Sequence, residues 1–245
     1  MKRVALGVTK QSGKWILNYL ATHPGVKIVA VDSAIDRPGQ IDCSDEIKWL
    51  KLPHISHLEM AVLKPYLFIN ISYPKIIKKE LLDSCTCINL HMGKLPEYRG
   101  RNTFAHAIQN GDKEFTVTLH LMTEGIDEGD IIAERVMPIY SIDTSKSLHD
   151  RAELVSYNMF IEELPKILSG KFETRPQIGI ARYYGKEIDK EIDMNNSAIS
   201  IYNKIRSLDF PPYEPAYYVE DGRRINLRLN DVCLQDGKLM IKPNE

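Results

Sequence analysis

The chain has 245 residues, 43% hydrophobic and 27% charged, ordinary values for a globular protein and far from those of a disordered or fibrous one. Its 32 lysines and arginines against 33 acidic residues lack the basic excess of a protein that grips nucleic acid phosphates. No apolar run approaches the roughly 20 residues that span a bilayer, and Val4 to Val8 is too short for the core of a secretory signal.

Val4 to Val8, rich in β-branched residues, reads as a first buried strand. Behind Ser12-Gly13, Lys14 to Ala21 carries Trp15, Ile16, Tyr19 and Leu20 at helical spacing. Lys27 to Val31 is a second strand, and Arg37-Pro38-Gly39 marks a loop. Tyr66 to Ile71 is a third strand, followed by a helix from Pro74 through Leu82. Cys85 to Leu90 is a fourth, ending at His91. This alternation predicts an α/β, Rossmann-like, mostly parallel sheet with helices on both faces.

Thr116 to Met122 and Ile131 to Ile139 flank the turn EGIDEGD and are expected side by side in the same sheet. Ser145 to Leu168 reads as a long helix, with Leu148, Ala152, Val155, Met159 and Leu164 mostly on one stripe and hydroxyl caps at Thr144-Ser145. From Tyr183 the texture turns polar, with the aromatic run FPPYEPAYY, a helix over Ala198 to Leu208 and a hairpin at Asp221-Gly222. The expected organisation is a main domain over residues 1–182 and a small extension over 183–245 holding a helix and a β-hairpin. Cys43, Cys85, Cys87 and Cys233 lack zinc-site spacing and disulfide density, which implies free thiols in a reducing cytoplasm.

Asn89 and His91 stand two apart, hence on one face, at the carboxyl end of a predicted strand, where open α/β sheets bind ligands. Taken alone, the pair fits a solvated strand end better than a reaction centre. Asp127 follows 36 residues after His91, in the turn Gly125-Ile126-Asp127-Glu128-Gly129, where the glycines allow a close fold around a ligand. Leu95-Pro96 and Arg99-Gly100 stand between. His120 reads as a structural histidine with a supporting place at the site. His54 and His57, without carboxylate companions, do not read as metal ligands.

Asn89-x-His91, Leu95-Pro96, Arg99-Gly100 and Asp127-x-Gly129, in this order, resemble the 10-formyltetrahydrofolate-dependent formyltransferase family. The likeness is strong over residues 66–140, weak over the C-terminal stretch, and greatest to enzymes that formylate nucleotide-linked amino sugars. It implies that 1–182 is the catalytic domain and that Asn89, His91 and Asp127 form the catalytic group. In that arrangement the Asn89 amide donates to the oxyanion, His91 takes the proton that the attacking amine sheds, and Asp127 orients the imidazole.

The resemblance also implies 10-formyltetrahydrofolate as co-substrate, without a metal, bound by Ser72, Tyr73, Lys75 and Ile76 on one side and Glu124 and Ile126 on the other. Lys10 and Ser12, at a helix N-terminus suited to phosphate, with Lys94, Arg99, Tyr213 and Tyr217, are the expected contacts to the acceptor. The implied activity is N-formylation of a nucleotide-diphosphate-linked amino sugar, dTDP-linked with a 3- or 4-amino group, for surface polysaccharide. The implied setting is a cytoplasmic homodimer that engages neither nucleic acid nor membrane. A methionyl-tRNA formyltransferase-like enzyme and a folate-binding protein without turnover are the alternatives. No dinucleotide fingerprint (Gly-x-Gly-x-x-Gly) occurs, which disfavours a nicotinamide dehydrogenase.

Overall fold

The structure is a computed structural model and describes residues 1–37 and 40–242. Pro38 and Gly39, of the loop expected at Arg37-Pro38-Gly39, lie outside the described residues. In chain order come β1 (Lys2–Val8), α1 (Lys10–Thr22), β2 (Val26–Ser33), α2 (Ser44–Trp49), β3 (Leu67–Ile71), α3 (Lys79–Leu82) and β4 (Thr86–His91). They continue with β5 (Arg99–Gly100), α4 (Thr103–Gln109), β6 (Glu114–Leu121), β7 (Ile131–Pro138) and α5 (Ser145–Ser169). The last elements are β8 (Tyr183–Tyr184), α6 (Ala198–Ser207) and two hairpins, β9 (Ala216–Glu220) with β10 (Arg223–Leu227) and β11 (Val232–Gln235) with β12 (Lys238–Ile241).

The main sheet has the order β2-β1-β3-β4-β6-β7. β1 to β4 pair in parallel, whereas β6 runs antiparallel to β4. This is the α/β, Rossmann-like, mostly parallel arrangement that the alternation predicts. β3 is buried at every position, which is why its sequence is a continuous apolar run rather than an alternating one.

The chain groups into two compact units. One comprises Met1–Arg99, Thr116–Arg135 and Glu153–Arg182; the other comprises Gly100–Phe115, Val136–Ala152 and the chain from Tyr183 onward. Residues beyond 183 thus share their unit with two earlier segments. Within it, Gln109 of α4 donates to the Ser207 hydroxyl at the end of α6 (2.8 Å), and the Ser145 hydroxyl donates to the Ser207 carbonyl (2.6 Å). The long helix opens on a reciprocal cap, in which the Ser147 N–H donates to Thr144 Oγ1 and the Thr144 N–H to Ser147 Oγ, both at 3.1 Å. Asp221 and Gly222 both adopt positive φ (50° and 72°), the geometry of a tight two-residue hairpin turn. Asp236-Gly237 repeats it one hairpin later.

The helix expected from Pro74 to Leu82 shrinks to the single turn of α3. Lys78 just before it is extended (φ −80°, ψ 156°), and Ile77 is used as a core residue beside Phe68, Tyr73 and Leu81. Burying Ile77, with the chain extended at Lys78, wins over local helix propensity.

The expectation that His54 and His57 lack a carboxylate is overturned by Asp32, at the end of β2. The Tyr73 hydroxyl donates to Asp32 Oδ2 (2.5 Å), the His57 backbone N–H donates to the same oxygen (3.0 Å), and His57 Nδ1 stands 3.3 Å away. His54 Nε2 lies 3.7 Å from Asp32 Oδ1. Desolvation alone would raise the Asp32 pKa, but these hydrogen bonds more than offset it and hold the carboxyl below its ordinary value.

Tyr73→Phe is therefore expected to lower unfolding free energy by about 1–3 kcal/mol at pH 7, read by denaturant titration. A depressed carboxyl pKa contributes stability that is present above the unfolded value and lost as pH falls through the folded one. The gap between variant and wild type should accordingly narrow below pH of about 4. A gap that persists there would remove Asp32 from the explanation.

Candidate active site

Alternation along β4 places Asn89 and His91 on one face, and the antiparallel register with β6 sets His120 opposite Asn89 and Thr118 opposite His91. Asp127 enters from the turn between β6 and β7, at φ +54°. Its Oδ1 accepts from Asn89 Nδ2 at 3.1 Å, and its Oδ2 stands 3.5 Å from His91 Nδ1. His120 Nε2 lies 3.0 Å from Asn89 Nδ2 and 3.5 Å from Asp127 Oδ1. Amide, carboxylate and two imidazoles thus share one largely buried site within the first unit, with His91 7% and His120 2% exposed.

Hydrogen bonding assigns the tautomers. His91 Nε2 lies 2.6 Å from the Tyr98 carbonyl, and a carbonyl only accepts, so Nε2 carries the proton. The lone pair of the neutral ring is then on Nδ1, on the Asp127 side. His120 Nδ1, 2.6 Å from the Leu121 carbonyl, likewise carries its proton, leaving Nε2 to accept from Asn89. Burial pushes the His91 pKa below its ordinary value. The Asp127 charge opposes that fall, a proton added to His120 would deepen it, the Tyr98 bond opposes it, and the Lys10 charge deepens it.

Several expected contacts are placed differently. Tyr73 turns its side chain into the core, and both its backbone groups bond the Asn70 side chain, so it does not face a ligand. Ser12 is fully buried, and its N–H and hydroxyl point at Glu153 Oε1 (3.5 and 3.3 Å). A carboxylate of the protein itself therefore sits at the N-terminus of α1, where a phosphate was expected, and complements the helix dipole. Lys94 pairs with Glu97 (2.9 Å), and Arg99 is held by Gln177 and Glu128 rather than left for an acceptor.

Lys10, also at φ +66°, carries a charge that reaches His91. Ser72 adopts φ +54° and bridges Val8, while Lys75 and Ile76 are exposed. Glu124 pairs with Lys79 (2.9 Å), and Ile126 is 44% exposed. Tyr213 and Tyr217 belong to the second unit, where Tyr213 packs on Phe210 and Tyr217 lies under the Arg224 guanidinium.

Three contributors escaped the sequence reading: the Tyr98 carbonyl, Gly93 and Gln177. The first is backbone and leaves no side-chain signature. Among the described residues no group of three or more His, Cys, Asp or Glu is placed to hold a metal ion, and no helix is long and apolar enough to cross a membrane.

The formyl transferase family model matches residues 55–164, a span that contains Asn89, His91 and Asp127. The methionyl-tRNA formyltransferase of Lysinibacillus sphaericus (strain C3-41) is 32% identical over 212 residues, 83% of this chain and 64% of its own length. The chain thus spans just under two thirds of that relative. Among solved structures, the N-formyltransferase from Helicobacter canadensis in complex with folinic acid and dTDP-3-aminofucose superposes with a TM-score of 0.78 at 23% identity, covering 92% of this chain and 86% of that one. A 4-N formyltransferase from Francisella tularensis superposes with the same score at 22% identity, covering 93% and 97%.

Proposed function

We propose that the chain is a formyltransferase, the family whose model its residues 55–164 match, and that it moves the formyl group of 10-formyltetrahydrofolate onto the amine of a nucleotide-diphosphate-linked amino sugar. The observation that carries the transfer chemistry is the convergence of Asn89, His91 and Asp127 on one site. As the amine attacks the formyl carbon, negative charge grows on the formyl oxygen and positive charge on the nitrogen, which must shed one of its own protons.

His91 accepts that proton at Nδ1, and the imidazolium so formed lies beside the Asp127 carboxylate. Both amide hydrogens of Asn89 are engaged, one by Asp127 and one by His120. The bond to the charged carboxylate is the stronger of the two, so the hydrogen beside His120 is the one that the developing oxyanion comes to share. The His91 proton then passes to the departing folate nitrogen as its bond to the formyl carbon breaks. Ser72, Lys75, Ile76, Glu124 and Ile126 are the proposed folate contacts; the exposed Ile76 and Ile126 suit the apolar faces of a pterin.

The net charge of −1 and the likeness in fold to a transferase bound to dTDP-3-aminofucose support the amino-sugar acceptor. The 32% identity to a methionyl-tRNA formyltransferase favours a second reading, in which the acceptor is the aminoacyl group of initiator tRNA. The test is tetrahydrofolate release with a panel of dTDP- and UDP-linked 3- and 4-amino sugars, run beside initiator methionyl-tRNA. Release with a sugar nucleotide and none with tRNA is the expected result. Transfer to tRNA alone replaces it with the second reading, and release with neither leaves a folate binder without turnover.

A further inference from the structure

Residues 175 to 182 run alongside both neighbours of the His91 ring. At one end Arg175 and Ile131 exchange backbone hydrogen bonds (2.9 and 2.8 Å). At the other, the Arg182 N–H donates to the Pro96 carbonyl (3.1 Å) and its carbonyl accepts from the Arg99 N–H (3.0 Å), just beside Tyr98. Between these anchors, Gln177 Nε2 donates to the carbonyls of Asp127 and Gly129, both at 2.8 Å. Gln177 Oε1 accepts from Arg99 Nε (3.2 Å) and Nη2 (2.9 Å), and Arg99 Nη1 donates to Glu128 (2.8 Å).

A primary amide has two N–H donors on one atom and an acceptor on the other. Here the donors close on two carbonyls of one turn, and the acceptor meets the fork of a guanidinium. The turn needs such support. Asp127 holds a left-handed backbone (φ +54°), a conformation that crowds the Cβ of most residues and that persists where its surroundings over-determine it.

We propose that Gln177 is a positioning residue of the reaction centre, clamping the turn that aims the Asp127 carboxylate at Asn89 and His91, with Arg99 holding Gln177 in place. Leucine at 177 removes both donors and the acceptor. Glutamate replaces the donors with a charge that repels the two carbonyls. The kinetic arm of the test rests on the formyl-transfer reading; the titration arm does not.

The experiment compares Gln177→Leu, Gln177→Glu and the milder Arg99→Lys with Ile178→Ala, a change at a side chain 82% exposed on the same segment. The groups facing His91 are Asp127 and the Tyr98 carbonyl, which favour the imidazolium, and His120 and Lys10, which oppose it. With the carboxylate loosened, the His91 titration midpoint, followed by NMR and assigned with His91→Gln, should fall by roughly half a pH unit in both Gln177 variants. It should fall less in Arg99→Lys and not at all in Ile178→Ala. In the same variants kcat should drop about 10- to 100-fold while KM for the formyl donor stays within about threefold.

Wild-type midpoint and kcat in all the Gln177 and Arg99 variants that fold would overturn the proposal. If the wild-type chain transfers no formyl group to any acceptor, only the functional reading falls, and the His91 midpoint still decides the role of Gln177.

Discussion

His91→Gln should lower kcat roughly 10²- to 10⁴-fold while leaving the binding of 10-formyltetrahydrofolate within about threefold of wild type. Glutamine is the informative replacement because its amide nitrogen can take the place of Nε2 and still donate to the Tyr98 carbonyl, now 2.6 Å from the ring. What it lacks is the basic lone pair of Nδ1. Because burial lowers the His91 pKa, the acidic limb of the wild-type kcat/KM profile should fall below the ordinary imidazole value of about 6.5. Activity rises with pH through that limb, since the base must be neutral to act. Steady-state kinetics across pH, with folate binding by calorimetry, checks both parts. A variant with an unaltered limb would show that the titrating base lies elsewhere.

Gly93→Ala should cost turnover on the order of 10²-fold, the loss expected when a reacting group is displaced by about 1 Å. A Cβ at position 93 would stand 2.6 Å from His91 Nε2 and 2.8 Å from the Tyr98 carbonyl oxygen, closer than real Cβ contacts come. Gly93 is not among the residues of positive φ, so alanine suits its backbone and the effect is steric. The displaced group would be the imidazole, because the Gly93 carbonyl is fixed by the Thr118 hydroxyl (2.8 Å). Gly185→Ala provides the contrast: no heavy atom lies within 4 Å of its Cβ position. Equal kcat for the two alanine variants would refute the steric argument.

The strands of the main sheet were legible because most contain a run of apolar residues bounded by turn signals. Asn89 and His91 were legible as a pair because strand alternation is a local property, and Asp127 was legible through its glycine-flanked turn and the family resemblance. His120 was legible as a structural histidine that could support the site, but not as the partner of Asn89. Its place beside Asn89 depends on the register between β4 and β6, to which residues between the strands contribute nothing readable. The phosphate expected at Ser12 failed for a similar reason. Glu153 lies 141 positions away on α5, and nothing near Ser12 announces a carboxylate. Asp32, Tyr73 and His57 come from three separate segments, and nothing in the sequence pairs them.

By itself, the order of residues determined the alternating α/β plan, the strand end that bears Asn89 and His91, and the likeness of the chain to formyltransferases, because periodicity, turn chemistry and motif spacing are all written locally. Only the tertiary structure decided which nitrogen of His91 holds the proton, which carboxylate occupies the start of α1, and how Gln177 grips the Asp127 turn. Those outcomes come from hydrogen bonds between groups far apart in the chain, and such bonds have geometry only once the backbone has closed around them.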